Sequence, residues 1–440
     1  MASHKLYEIT PAPPPPQTVV LATLENPERE WEESLQELER LADTANAQVV
    51  ATLTQRRDTP DPKTYLGKGK VDELQALVER GGAELVIFDG DLSPGQQRNL
   101  EKILNVQVVD RTGLILDIFA HRAQTAEGKL QVELAQLEYL LPRLTNMWSH
   151  LSRIRGGIGL RGPGETQLEV DRRRVRERIA HLKRRVEEIR QRRAVQRSQR
   201  AQAQIPLVSL VGYTNAGKST LLNALAQAGV FVEDKLFATL DPTTRDVTLP
   251  GGTRLLVSDT VGFIRNLPTQ LVAAFRATLE EVQSAEILVH VVDASNQGWM
   301  EQEDTVNQVL HDLGAGDKST IMAFNKVDQV EDMELLTRLA ARYPHHVFLV
   351  AQQGRGIDAL EAQIVQMLRE RLRSVNLALP LTASGLVAEF HARGEVIAEE
   401  YAEEHVRVVG RAPADLVARM LRIAIQEAGI DDCQTDAGSL

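Results

Sequence analysis

The sequence holds a single cysteine, Cys433, among 440 residues. That scarcity excludes an internal disulfide and a cysteine-rich metal site, and it fits a reducing cytoplasm, the expected location. No apolar run is long enough to span a bilayer. The first ten residues lack the apolar core of a secretory signal and lead into Pro13 to Pro16, so no export is expected. Net positive charge is missing as well. The formal balance is −11, which by itself argues against nucleic-acid binding.

The distribution of charge points the other way. Residues 172–200 carry 13 Lys and Arg against Glu177, Glu187 and Glu188, so an acidic chain concentrates its basic residues in one arm. Such an arm is suited to an anionic partner. Just before it, a glycine-rich stretch contains Arg153, Arg155, Gly156, Gly157 and Arg161. It is too polar to bury, and it can lay backbone and guanidinium groups against phosphates with little side-chain bulk in the way.

Hydrophobic content of 43% and charged content of 25% are those of a globular chain. Its length allows about two to four domains. Residues 1–125 alternate short apolar runs with helical patterns, which predicts a small, mostly parallel α/β domain. Within it Ser93, Pro94 and Gln96 mark a capped helix start. In 126–200 two heptad stripes follow, Leu130, Leu134, Leu137, Leu141, Leu144 and Val175, Ile179, Leu182, Val186, Ile189. They predict an antiparallel helical hairpin with the basic glycine-rich stretch at its tip. Thr166 and Glu169 read as a capping box for its second helix. A polar linker over 194–204 leads into a domain spanning 201–373. The remainder, 374–440, reads as a small α+β domain with strands at 385–391, 395–401 and 405–409 and a helix over 413–427.

The chemistry lies in 201–373. An apolar run ending at Val211 passes through Gly212, Tyr213, Thr214, Asn215, Ala216, Gly217, Lys218 and Ser219 into Thr220 and a leucine-spaced helix. Strand, glycine loop and helix in that order are the context of a phosphate-binding P-loop. Its backbone N–H groups close on phosphate oxygens at a helix N-terminus. Lys218 then reaches the β- and γ-phosphates, and Ser219 ligates Mg²⁺. Downstream, Asn325, Lys326, Val327 and Asp328 end an apolar run. The Asp328 carboxylate can accept from guanine N1–H and N2–H₂, donors that adenine lacks, which selects GTP. Between these elements, Asp259 closes a further strand and can hold a Mg²⁺ water. Thr260 and Val261 lead to Gly262, whose N–H can meet the γ-phosphate. Phe237, Ala238, Thr239, Leu240 and Asp241 supply a threonine for the Mg²⁺ shell, with Thr243 and Thr244 as competitors. Phe263 stands where many GTPases have a water-orienting glutamine. Lys218, Thr239 and Gly262 are the catalytic candidates. Asn215 either stiffens the loop or, as its resemblance to the same position in potassium-stimulated GTPases implies, holds a K⁺ beside the phosphates.

These motifs resemble those of the HflX family of ribosome-associated GTPases. The likeness extends to Gly67, Lys68, Gly69 and Lys70, to Asp89 through Pro94, and to the stretch from Arg155 to Gln167. It implies binding to the large ribosomal subunit and its RNA, with splitting or rescue of stalled ribosomes under stress. ATP binding is also attributed to the family, so absolute selectivity for GTP is not implied. A monomer is expected. One position departs: Val350, Ala351 and Gln352 stand where the family usually has Ser-Ala-Gln. The Ala351 N–H can still meet guanine O6. Two other readings share part of the pattern: a tRNA-modification GTPase, whose C-terminal cysteine motif Cys433 does not match, and a protein-binding GTP switch.

Overall fold

Leu85–Phe88 (β3) is buried along its whole length, as a strand covered on both faces must be. It pairs in parallel with β1 (Gln17–Glu25) and β4 (Gln107–Asp110), and β2 (Ala47–Arg56) adds to β1. The resulting order, β2-β1-β3-β4, is wholly parallel. Helices α1 (Trp31–Thr44), α2 (Lys68–Gly81) and α3 (Pro94–Leu104) connect the strands. The start of α3 is the capping box expected: Gln96 N–H donates to Ser93 Oγ at 3.2 Å and Gln96 Oε1 accepts from Ser93 N–H at 2.9 Å. A further helix, α4 (Arg111–Arg122), begins directly at the end of β4, where Asp110 caps it by accepting from Gly113 N–H at 2.8 Å. The structure is a computed structural model that describes residues 16–25, 31–144, 167–203, 205–227, 236–237, 239–240, 243–250, 252–265 and 281–428.

The two heptad stripes meet. Leu130 and Leu134 of α5 (Ala126–Leu140) bury against Ile179 and Leu182 of α6 (Gln167–Ala203), with Leu137, Leu141, Val175, Val186 and Ile189 packed around them. Arg178–Glu133 and Lys183–Glu138 ion pairs flank the seam. Of the polar linker expected over 194–204, residues 194–203 are instead the last part of α6. Alanine, glutamine and arginine there are strong helix formers, and no glycine or proline interrupts them. Thr166, Arg153, Arg155, Gly156, Gly157 and Arg161 lie outside the described residues.

A second sheet has the order β10-β9-β8-β5-β7-β6. Its strands are β5 (Leu207–Gly212), β6 (Thr243–Thr248), β7 (Arg254–Asp259), β8 (Ile287–Asp293), β9 (Thr320–Asn325) and β10 (His346–Phe348), with only β6 antiparallel to its neighbour. Helices α7 (Lys218–Leu225), α8 (Trp299–Asp312), α9 (Met333–Arg342) and α10 (Ile357–Glu370) belong to this domain. The C-terminal unit is an antiparallel sheet of β11 (Arg373–Pro380), β13 (His405–Ala412) and β12 (Glu395–Tyr401), covered by α12 (Ala414–Ala428). The strand expected at 385–391 is a helix, α11 (Ser384–Arg393). Leu386, Val387 and Phe390 recur at a helical spacing and pack on Val408 and Leu416.

The first two domains share one core. Val19, Leu38, Ile115 and Phe119 from the N-terminal sheet and its helices pack with Val211, Tyr213, Phe237 and Phe263 of the second domain. Phe119 meets Phe237 edge to face, with centroids 4.6 Å apart. Burial of each such side chain contributes about 2 kcal/mol, so the junction is a packed interface rather than a hinge in water. Among the described residues no helix is long and apolar enough to cross a membrane.

Candidate nucleotide site

The loop between β5 and α7 takes its shape from two glycines. Gly212 has φ +148°, and a Cβ there would lie 2.2 Å from the Val291 carbonyl oxygen. Gly217 has φ +98°, and a Cβ there would strike Asn325 Nδ2. Asn215 sits at φ 61°, a left-handed conformation that asparagine tolerates, so it has a backbone reason to be there apart from any cation. Lys218 is buried and donates to the carbonyls of Gly212 at 3.1 Å and Tyr213 at 2.8 Å. Burial pushes its ammonium down to about 8, with the Asp259 carboxylate opposing the shift.

Three oxygens gather below the loop. Ser219 Oγ lies 2.7 Å from Thr239 Oγ1 and donates to Asp259 Oδ2 at 2.7 Å. Asp259 is buried, and its Oδ1 has no hydrogen-bond partner among the described residues. Burial raises its pKa, against the pull of Lys218. An orphaned carboxylate oxygen beside two hydroxyls is an all-oxygen set that suits a hard divalent cation, so the residues fit Mg²⁺. Of the competing threonines, Thr243 and Thr244 are in β6, and Thr244 faces Glu281 instead.

Gly262 packs on the loop so closely that a Cβ would approach Thr214 Cα to 2.7 Å and Lys218 Nζ to 3.1 Å. Thr260 Oγ1 donates to the Leu210 carbonyl, and Val261 is buried. Phe263 is bonded to the loop on both sides: its N–H donates to the Gly212 carbonyl at 3.2 Å and its carbonyl accepts from Thr214 N–H at 2.7 Å. Thr214 Oγ1 in turn accepts from Phe237 N–H at 3.0 Å, and Leu240 is buried. Ala238 and Asp241 lie outside the described residues.

On the other side Asn325 joins three loops. Its Nδ2 donates to the Ala216 carbonyl at 2.9 Å and its Oδ1 accepts from Ala351 N–H at 3.0 Å. That second bond alters the expectation for the last loop. The Ala351 N–H is already engaged, so it can serve guanine O6 only as a shared donor, and Asn325 supplies the bracing that a serine hydroxyl would give. Lys326 donates to Asp293 Oδ2 at 2.7 Å, while Asp328 is exposed. One open cleft runs from Asn215, Gly217 and Thr220 past Asn325, Lys326 and Asp328 to Val350, Ala351 and Gln352.

Partners that carry no local signal in the sequence reach this site from α1. Tyr213 Oη donates to Glu37 Oε1 at 2.5 Å and accepts from Arg265 N–H at 2.7 Å. Burial, then the Glu37 carboxylate, pushes the Tyr213 pKa well above the tyrosine range, so it stays a donor. Glu37 also pairs with buried Arg111, which holds Asp89 at 2.7 Å. The Arg265 guanidinium donates to Glu33 at 2.8 Å. Charged residues on a surface helix read as a solvated face, and no local signal marks these as interdomain contacts.

Lys218 gives a pH test. A polyphosphate against it restores the charged form, whereas the free protein loses that charge above about pH 8. Nucleotide binding should therefore take up close to one proton at pH 9 and almost none at pH 7. Affinity should fall above pH 8 by up to about tenfold per unit. Calorimetry in buffers of different ionisation enthalpy measures this directly, and equal proton uptake at both values would refute it.

Comparison with known proteins agrees with the geometry. Residues 32–120 match the family model described as GTP-binding GTPase N-terminal, 122–200 match GTP-binding GTPase Middle Region, and 207–326 match 50S ribosome-binding GTPase. The chain is 47% identical to GTPase HflX of Magnetococcus marinus over 399 residues, covering 90% of this chain and 92% of that one. It is 47% identical to GTPase HflX of Escherichia coli over 373 residues, 84% and 87% of the two chains. With the protein of the same name from Chlamydia pneumoniae it shares 41% over 431 residues, 96% and 91%. A glycine-shaped phosphate loop, an oxygen set beneath it and a cleft braced by Asn325, in a chain this similar to those relatives over most of its length, belong to a GTP-hydrolysing member of the HflX family of GTPases.

Proposed function

We propose that this GTPase works on the large ribosomal subunit, splitting or rescuing stalled ribosomes under stress, and that α6 and the glycine-rich segment before it contact ribosomal RNA. The observation that carries this reading is the basic arm: 13 Lys and Arg over 172–200 of a chain whose net charge is −11. Arg176, Arg185 and Arg192 are exposed along α6, a face suited to phosphate. The 50S ribosome-binding description of the model matched by 207–326 favours the same partner.

In this reading Lys218 holds the β- and γ-phosphates. Ser219 and Thr239, with Asp259 through a water, would hold Mg²⁺, which would supply neutralisation of the charge shared by those phosphates. Gly262 turns its N–H to the γ-phosphate, and Asp328 reads guanine. The RNA contact is tested by replacing Arg153, Arg155 and Arg161 together with glutamine. Binding to isolated large subunits should weaken, and the slope of log affinity against log salt should flatten by about 2 to 3, as counterion release is lost. GTP affinity should stay the same. An unchanged slope and affinity for the subunit would remove this segment from the mechanism.

A further inference from the structure

Three residues of α1, Glu33, Glu37 and Arg40, fall on one helical face at spacings of four and three. The first two are fastened to the nucleotide domain. Glu33 holds the Arg265 guanidinium just beyond Gly262, and Glu37 accepts the hydroxyl of Tyr213 inside the phosphate loop. With leucines at 38 and 41 buried in the shared core, these bonds fix both the height and the angle of α1 over the loop. The third residue continues the same face, so it overhangs the nucleotide cleft.

Arg40 lines that cleft together with Asn215, Gly217 and Thr220, and it also lines the smaller cavity that Tyr213, Thr214 and Asn215 share with α1. It is therefore at the phosphate end of the site, beside the first half of the loop. Its side chain is exposed, and among the described residues its guanidinium has no ion pair or hydrogen bond. The other basic residue lining the cleft, Lys326, is taken by Asp293. The remaining charges there, Asp293, Asp328, Asp358 and Glu361, are acidic. A guanidinium without a partner among the described residues, held over a phosphate loop by a helix whose Glu33 and Glu37 are already engaged, is placed to meet the polyphosphate.

We propose that Arg40 is a catalytic residue supplied in cis by the N-terminal domain, its guanidinium meeting the β- and γ-phosphates of bound GTP. When water attacks the γ-phosphorus, a new P–O bond forms to the water oxygen, the bond to the β–γ bridging oxygen breaks with its electron pair staying on the β-phosphate of GDP, and the water's proton leaves with the released phosphate. Arg40 opposes the charge that grows there, as preorganised cations do in phosphoryl transfer. In this reading the positive charge beside Asn215 comes from Arg40 rather than from a K⁺ ion.

The test is single-turnover GTP hydrolysis by the full chain in NaCl, for wild type, Arg40→Ala and Arg40→Lys. The alanine variant should be slower by on the order of 10³-fold, the lower end of what an arginine supplied to the transferring phosphoryl group gives a GTPase. The lysine variant should be intermediate, because it keeps the charge without the fork. Affinity for GDP should change by less than about threefold, since the contact matters when charge develops. Because Arg40 is exposed, thermal unfolding of both variants should match wild type. A second readout is trapping of GDP with aluminium fluoride in NaCl, which wild type should achieve and Arg40→Ala should not. The proposal is overturned by a wild-type rate in Arg40→Ala or by trapping that needs K⁺ and ignores Arg40. Equal loss of GTP and GDP affinity at unchanged rate would overturn it as well, since it would place the contact away from the reacting phosphate.

Discussion

Asp328→Asn is expected to lower GTP affinity by about 10²-fold or more and to admit xanthosine triphosphate instead. In the reading proposed above, the carboxylate accepts two hydrogen bonds from guanine N1–H and N2–H₂. An asparagine offers one acceptor and turns a donor toward the amino group. Each buried polar group left without a partner costs about 1–3 kcal/mol, so two losses on one edge multiply into that factor. Xanthine carries a carbonyl where guanine has the amino group, and the new amide donor matches it. Asp328 is exposed and makes no ion pair among the described residues, so the substitution should leave the fold intact. Asn325, which braces the phosphate loop and the Ala351 loop at once, is untouched. Titration calorimetry with GTP, GDP and xanthosine triphosphate decides it. Retained GTP affinity, or loss of GTP with no gain of the xanthine nucleotide, would take Asp328 out of base recognition.

Local backbone demands made most of this site legible in the sequence. Gly212 and Gly217 are positions where a Cβ has no room, and such positions recur with fixed spacing wherever a loop wraps phosphate. The α3 cap and the α5–α6 seam were readable for the same reason, since both depend on residues a few positions apart. What could not be read is long-range. Glu37 meets Arg111 and Tyr213 across 74 and 176 positions, and nothing local distinguishes it from the charged faces of other helices. Helix α4 carries no distinct signal, because Leu114 to Phe119 is almost continuously apolar, the pattern of a helix buried all round, which periodicity does not separate from a strand. Helix α11 failed in the same way, through a short apolar run whose length favoured a strand. Arg40 combines both difficulties. It is an ordinary exposed arginine until α1 is docked on the phosphate loop.

Docking also explains Phe263 and leads to the second large effect. A glutamine at this position orients the attacking water in many GTPases, yet the phenylalanine here is 2% exposed and sits in the core shared by two domains. Its backbone is bonded to Gly212 and Thr214, so the segment after Gly262 is held by packing rather than left to position water. Free enzyme should therefore turn over more slowly than the roughly 10⁻² s⁻¹ of a GTPase that has both a glutamine and an arginine in cis. Large ribosomal subunits should raise the rate by on the order of 10³-fold or more, by supplying the group that Phe263 cannot and by ordering the segments around Thr239 and Gly262. Phe263→Gln should not substitute for the subunit. It would bury an amide in the core that also holds Phe119, Phe237 and Ile115 and cost about 1–3 kcal/mol of stability. Multiple-turnover assays with and without purified subunits, for wild type and Phe263→Gln, separate the possibilities. Fast hydrolysis by the free wild type, or a glutamine variant that hydrolyses freely without subunits, would show that the missing group is not supplied from outside.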